Sequence, residues 1–277
     1  MPELPEVEAA RRLVERVAGG RRIVRVRCAE DPIVFDSACP AQIRRALLGR
    51  RVLAAHRHGK HLWLELDRRP WPVVHFGMTG GFHAPDGEGA RLVSAGRRGP
   101  SGWPPRFTKL LLGLDDGRAL ALTDARRLGR LRLRHDPRAE PPVSLLGFDA
   151  LDDLPSPARF AAMLRARRAP VKAVLLDQTF AAGVGNWVAD EVLYQAGVDP
   201  RRPADHLSDA EARRVRRAMR HVLVTAVRAG ADSDRFPRTW LFHRRWDRSP
   251  GFTVRGERLR WATVGGRTTA WAPAVQR

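Results

Sequence analysis

Cysteine is almost absent. Of 277 residues only Cys28 and Cys39 are cysteines, too few for a disulfide framework and a pair that a reducing compartment leaves as thiols. No cysteine follows position 39, so no cysteine-based zinc finger can form in the rest of the chain. Long apolar runs are missing too: nothing approaches the roughly 18 residues of a spanning helix. The opening MPELPEVE is acidic where a secretory leader would be basic. The chain therefore reads as cytoplasmic, with no membrane partner. Lysine is scarce as well, since of 50 basic residues only Lys60, Lys109 and Lys172 are lysines. Part of the arginine excess is compositional drift, so the raw charge is discounted and each lysine merits inspection.

What is present points to a globular nucleic-acid binder. The hydrophobic fraction is 43% and the formal net charge +20, which favours a polyanionic partner, nucleic acid first. The length suits two domains. A helix is expected from Pro5 to Ala18, with Pro near its first position, Glu6 and Glu8 in its first turn and Gly19-Gly20 ending it. Short strand-like runs follow at 21–28, 51–56, 61–66, 73–77, 107–114 and 119–123. A Gly-, Pro- and Arg-rich stretch from 85 reads as a long exposed loop, and 136–157 concentrates prolines and acids as a linker. Domains are thus expected over 1–135 and 158–277. In the second, LSDAEARRVRRAMRHVLVTAVRAG has helical period, a Ser208/Glu211 capping box and one apolar face of Val215, Met219, Val222 and Ala226. WATV, Gly265-Gly266 and RTTAW then give a two-residue hairpin signature.

Several segments carry chemistry. MPELPEVE is, taken alone, a tidy helix start, but loss of Met1 would expose the secondary amine of Pro2. An α-amino group titrates near 8 where lysine titrates near 10, so a useful neutral fraction exists at neutral pH. Such an amine can attack C1′ of a nucleotide, expel the base and leave an iminium that promotes loss of the flanking phosphates. Glu3 sits beside it as a proton donor or shuttle. Lys60 lies in GKHLWLEL at a turn entering a strand. In GVGNWVADEVLYQAGVDP, Gly183 and Gly185 permit close backbone approach, the helix start offers free N-H groups and Asn186 adds a donor, a set suited to a DNA phosphate. Arg267 follows the hairpin turn, where a rigid prong can hold a phosphate. HFGMTG and TDARRLGR place Met78 and Leu128 beside turns, where they are either core residues or wedges for duplex DNA.

In this order, and across nearly the whole chain, these segments resemble the formamidopyrimidine-DNA glycosylase and endonuclease VIII family. PELPEVE is the most specific, and GVGNWVADEVLYQAGVDP matches the family's helix, two-turns, helix element. The resemblance implies an α+β protein: an N-terminal β-sandwich flanked by helices, then a helical domain ending in a β-hairpin finger at about 251–277. It implies a bifunctional DNA glycosylase and abasic-site lyase of base excision repair. Such an enzyme excises oxidised bases, ring-opened purines first, and cleaves the strand by β- or β,δ-elimination. By the same resemblance Pro2 is the Schiff-base nucleophile, Glu3 the acid/base partner and Glu6 their support. Lys60 belongs to the catalytic set and, with Asn186, Arg267 and the Gly183 and Gly185 turn, binds phosphates flanking the lesion; Lys172 matches a further family lysine near the site. Met78, Arg126 and Leu128 match the trio that fills the void left by a flipped nucleotide, with Leu128 in place of a phenylalanine and so without ring stacking. Many members end in a four-cysteine zinc finger. This chain resembles the zincless branch, which implies no metal or other cofactor and a hairpin held by packing, for example by Trp261 and Trp271. Damaged double-stranded DNA is the implied partner and a monomer the implied state. A non-catalytic DNA-binding module and a ribosomal-RNA binder are the rival classes, and neither needs covalent chemistry at Pro2.

Overall fold

The computed structural model describes residues 2–85, 102–246, 251–253 and 255–277. Most of the loop expected from 85 lies outside the described residues. The chain divides into two compact units, one running to Leu145 and including Gly230–Asp232, the other comprising Leu146–Ala229 and Ser233–Arg277. The division falls within the Pro- and acid-rich stretch 136–157. That stretch is not only a spacer, because its Phe148–Asp149 forms a strand of the second unit.

The first unit opens with helix α1 (Leu4–Ala18), whose Leu4, Val7, Ala10, Leu13, Val14 and Val17 are buried. Then come β1 (Ile23–Cys28), helix α2 (Pro40–Leu47), β2 (Val52–His58), β3 (His61–Leu66), β4 (Trp71–His75), β5 (Gly81–His83), β6 (Thr108–Leu114), β7 (Ala119–Thr123) and β8 (Arg130–Arg134). They form two four-stranded sheets, ordered β1-β6-β7-β5 and β2-β3-β4-β8, antiparallel throughout. Inward side chains of both sheets, among them Ile23, Leu110 and Leu112 from one and Val52, Leu62 and Leu64 from the other, share one core with α1 and α2. This is the expected sandwich. Three elements exceed the sequence expectation. The eight-residue α2 starts from Cys39, a poor capping signal, with Gln42 closing the box. β5 is only three residues long, and β8, in which arginine alternates with leucine, lies beyond the expected strand runs.

The second unit holds β9 (Phe148–Asp149) paired in parallel with β10 (Ala181–Ala182), and helices α3 (Pro157–Arg165), α4 (Val171–Leu176), α5 (Asn186–Ala196) and α6 (Asp209–Arg228). α5 is buried on nearly every side, from Trp187 to Tyr194, so it is apolar all round rather than striped. α6 is amphipathic: Val215, Met219, Val222 and Ala226 are buried, and the Ser208/Glu211 capping box forms as expected. The unit ends in the hairpin of β11 (Arg260–Val264) and β12 (Arg267–Trp271), whose register pairs Val264 with Arg267. Both turn residues are left-handed, Gly265 at φ 58° and Gly266 at φ 69°, the type I′ geometry that glycine adopts without strain.

Candidate active site and DNA-binding residues

In the first unit the N-terminus is held by the first turn of α1. Pro2 and Glu3 are buried, and the Glu3 amide donates to Glu6 Oε2 at 3.0 Å in a reciprocal capping box. Burial, and then the neighbouring charge of Glu3, push the Glu6 carboxyl up to about 8. A second tie runs from α1 to the turn between β2 and β3. Arg57 Nε donates to Glu8 Oε2 and Arg57 Nη1 to Gly59 O, each at 3.3 Å. Gly59 sits at φ 56°, a left-handed position, and Lys60 follows it, almost wholly buried. The helix carrying Pro2 and Glu3 and the turn carrying Lys60 therefore share one buried guanidinium.

Two histidines that the motifs did not single out stand next to Lys60. Register pairs His61 with His75, and their rings lie 4.9 Å apart. Burial, then the charges of Lys60, Arg132 and Arg130, depress His75 to about 4. Burial and the neighbouring His75, Arg132, His58 and Lys60 depress His61 to about 3. At neutral pH both imidazoles are uncharged, with Lys60, Arg130 and Arg132 near them. The signal available in sequence was the pair of His-rich turns, HGKH and HFG; their meeting across the sheet was not.

The turns bearing Met78 and Leu128 interlock. Buried Asp124 accepts from the Arg126 amide at 3.2 Å, the Gly129 amide at 2.7 Å and Thr79 Oγ1 at 3.2 Å. Gly77, at φ 61°, lets the two backbones touch: a Cβ there would stand 2.3 Å from the Leu128 carbonyl carbon. Arg127, itself left-handed at φ 56°, is fixed by Asp31. Burial alone would raise Asp31, but hydrogen bonds from Lys109 and Arg127 hold it at about 2. Lys109 is thereby structural. Met78 is half-buried, Arg126 exposed and Leu128 44% exposed, so Leu128 is not a core residue.

In the second unit, Gly183 at φ 101° and Gly185 form the turn before α5, folded by Gln178. Asn186 is the first residue of α5, one earlier than the pattern suggested. Its Nδ2 donates to Thr268 O at 3.0 Å, next to the exposed Arg267 on the hairpin, so the turn and the hairpin tip are brought together. Gly265 packs on α4, with a Cβ position 3.1 Å from Ala173. Beneath them lies Lys172, fully buried: its Nζ pairs with Asp190 Oδ1 at 2.6 Å and donates to Thr269 Oγ1 at 2.6 Å and Thr268 O at 3.2 Å. The other oxygen of Asp190 takes Arg245 at 2.7 Å and the Ala270 amide at 3.3 Å. Lys172 thus supports the hairpin from inside the unit. Trp271 is buried with the Arg201 guanidinium 4.2 Å over its ring, and Trp261 packs against Tyr194, Leu241, Leu259 and Ala272.

Known proteins share this sequence pattern and fold. Residues 1–131 match the family model described as formamidopyrimidine-DNA glycosylase N-terminal domain, and residues 146–237 match its H2TH domain. A formamidopyrimidine-DNA glycosylase of Arabidopsis thaliana is 40% identical over 278 residues, covering 100% of this chain and 71% of the relative. One of Thermus thermophilus is 39% identical over 235 residues, covering 84% and 78%. The crystal structure of MutM (Fpg) from Thermus thermophilus superposes with a TM-score of 0.78 at 34% identity, covering 99% of this chain and 98% of that one. A Lactococcus lactis Fpg in complex with DNA containing N7-benzyl-Fapy-dG reaches a TM-score of 0.81 at 24% identity, with full coverage of both, a likeness of fold.

Three testable outcomes come from these contacts. Asp190→Ala leaves Lys172 and Arg245 buried without their counter-ion and costs about 3–5 kcal/mol in denaturant unfolding. Gly77→Ala forces the Met78 and Leu128 turns apart, which amide exchange across 76–80 and 124–129 reports as faster exchange than in the parent. Burial raises Glu191, whose carboxylate takes the Phe242 amide at 2.9 Å, to about 7. Because its folded value exceeds its unfolded one, stability is full in acid and falls as pH rises towards and through about 7. Glu191→Gln flattens that fall in a series of urea titrations.

Proposed function

The chain belongs to the formamidopyrimidine-DNA glycosylase family, and from that premise we propose that its nucleophile is the amine of Pro2 after loss of Met1. The family's members are bifunctional DNA glycosylases and abasic-site lyases acting on oxidised purines in base excision repair, and damaged double-stranded DNA is the substrate. The observation that carries the assignment is the pinning of Pro2 and Glu3 at the start of a buried helix whose Glu8 shares Arg57 with the turn before Lys60.

The neutral amine attacks C1′, forming the N–C1′ bond while the glycosidic bond breaks and the departing base takes its electron pair and a proton. Glu3 donates a proton to O4′ as the sugar opens, leaving an iminium between Pro2 and C1′. The iminium acidifies C2′; loss of a C2′ proton expels the 3′ phosphate, and a further elimination can expel the 5′ phosphate. Glu6 holds the Glu3 amide and so keeps the pair at the helix entrance. Lys60, Asn186 and Arg267, with the turn of Gly183 and Gly185, anchor phosphates flanking the lesion. Met78, Arg126 and the exposed Leu128 fill the space of the flipped nucleotide, and ring-opened purines are the first substrates to test. The enzyme acts as a monomer in the cytoplasm, with the DNA.

A zinc finger does not fit this chain. Residues 251–277 contain no cysteine, no histidine and one carboxylate, Glu257, which takes the Tyr194 hydroxyl at 3.3 Å. We assign the metal's task to the buried set of Lys172, Asp190, Arg245 and Thr269, which holds the hairpin and so Arg267. Metal analysis of purified protein is expected to find no stoichiometric zinc, and one zinc per chain would overturn this. On a duplex with one ring-opened guanine, Pro2→Gly lowers kcat by about 100-fold or more. Arg267→Ala and Asn186→Ala instead raise KM roughly tenfold, each losing a charge-assisted bond to phosphate. Native protein that binds the duplex but cleaves neither bond would sink the enzyme reading.

A further inference from the structure

α6 has a second face that the glycosylase reading leaves without a task. Its core residues Val215, Met219, Val222 and Ala226 lie along one side of the helix. On the opposite side Arg213, Arg217, Arg220 and Arg228 are all exposed. At 3.6 residues per turn the four fall within roughly a quarter of a turn, and at a rise of about 1.5 Å per residue their stripe is roughly 22 Å long. It borders an open groove of about 750 Å³, lined also by Arg216 and by Pro157 of α3.

Arginine is common throughout the chain, so number alone means little; alignment on one face without neighbouring acids is the discriminating fact. Several other arginines meet carboxylates: Arg11 and Arg12 meet Glu8 on α1, Arg165 meets Asp209, and Arg202 and Arg214 meet Glu211. None of the four stripe arginines meets a carboxylate among the described residues, and the sequence holds no acid between Glu211 and Asp232. Like charges at these helical spacings repel one another and weaken the helix. A polyanion laid along the groove removes that repulsion.

We propose that this face binds the phosphate backbone of a second segment of duplex DNA, separate from the segment that carries the lesion. The proposal rests on the glycosylase reading for the first segment. The choice of a second segment rests on direction: within this unit Asn186 begins α5, which packs on the core side of α6, whereas the stripe looks the opposite way. Duplex DNA supplies a dense row of phosphates with no demand on sequence, and exposed guanidinium groups bind it through released counterions. A protein gripping two segments can pass between them without leaving DNA, which shortens the search for a lesion.

The test separates the two sites. Full-length protein is trapped with borohydride on a short biotinylated duplex carrying an abasic site, captured on streptavidin, and offered a labelled undamaged duplex of about 60 base pairs at about 50 and about 200 mM salt. Trapped parent protein is expected to retain the second duplex at low salt and to lose about a hundredfold in affinity at the higher salt, as four phosphate contacts require. The variant carrying Arg213→Ala, Arg217→Ala, Arg220→Ala and Arg228→Ala should trap and cleave the short duplex like the parent but fail to retain the second one. Alanine suits an exposed helical site, and circular dichroism checks that the helix is kept. Equal retention by parent and variant, or none by the trapped parent, overturns the proposal. Failure to trap at all would instead strike the nucleophile assignment.

Discussion

The proposed nucleophile, Pro2 after loss of Met1, has no preceding residue to hold it, so its position must come entirely from the residues on its C-terminal side. Here that is α1, whose apolar face is sealed into the sandwich core and whose first turn is closed by Glu3 and Glu6. The helix does more than bury leucines. Through Glu8 and Arg57 it is tied to Gly59, and hence to the turn that presents Lys60, so hydrogen bonds link the helix that starts after Pro2 to the adjoining cation within this unit. Under the proposed mechanism, substituting the core near Leu4 or Val7 disturbs chemistry as well as stability.

The same logic governs the hairpin. Two strands and a turn are marginal alone in water, and residues 251–277 hold no cysteine or histidine to bind a metal. The remedy adopted is a buried lysine and arginine sharing one aspartate, with the hairpin's own hydroxyl and amide completing its hydrogen bonds. Such a set is costly to desolvate and gives little net stability, but its hydrogen bonds fix where the strand above it can sit. For the proposed phosphate contact of Arg267, position matters more than a few kilocalories.

What was legible in the sequence was what local chemistry decides. Gly265-Gly266 could only be a left-handed turn, Ser208 and Glu211 could only be a helix start, and the strand-like runs at 61–66 and 119–123 carry their pattern unaided. What stayed hidden depends on partners far along the chain. His61 meets His75 only through strand register, Asp31 reaches Arg127 across 96 residues, and Asp190 finds Arg245 across 55. Lys172 was placed near the site by resemblance, but its burial under the hairpin had no local signature. Leu128 was placed in the void-filling trio by resemblance, but its 44% exposure and the contact of its turn with Gly77 had no local signature. Residues that act through long-range pairing are found only once the fold is known.

The central claim is that the chain's own amine forms the covalent bond, and one measurement addresses it directly. Protein reduced with borohydride on an abasic-site duplex is digested and the cross-linked peptide sequenced by mass spectrometry. The account predicts the adduct on a peptide that begins at Pro2 and lacks Met1. An adduct on Lys60 or on any other lysine, or one formed while Met1 is still in place, would contradict it.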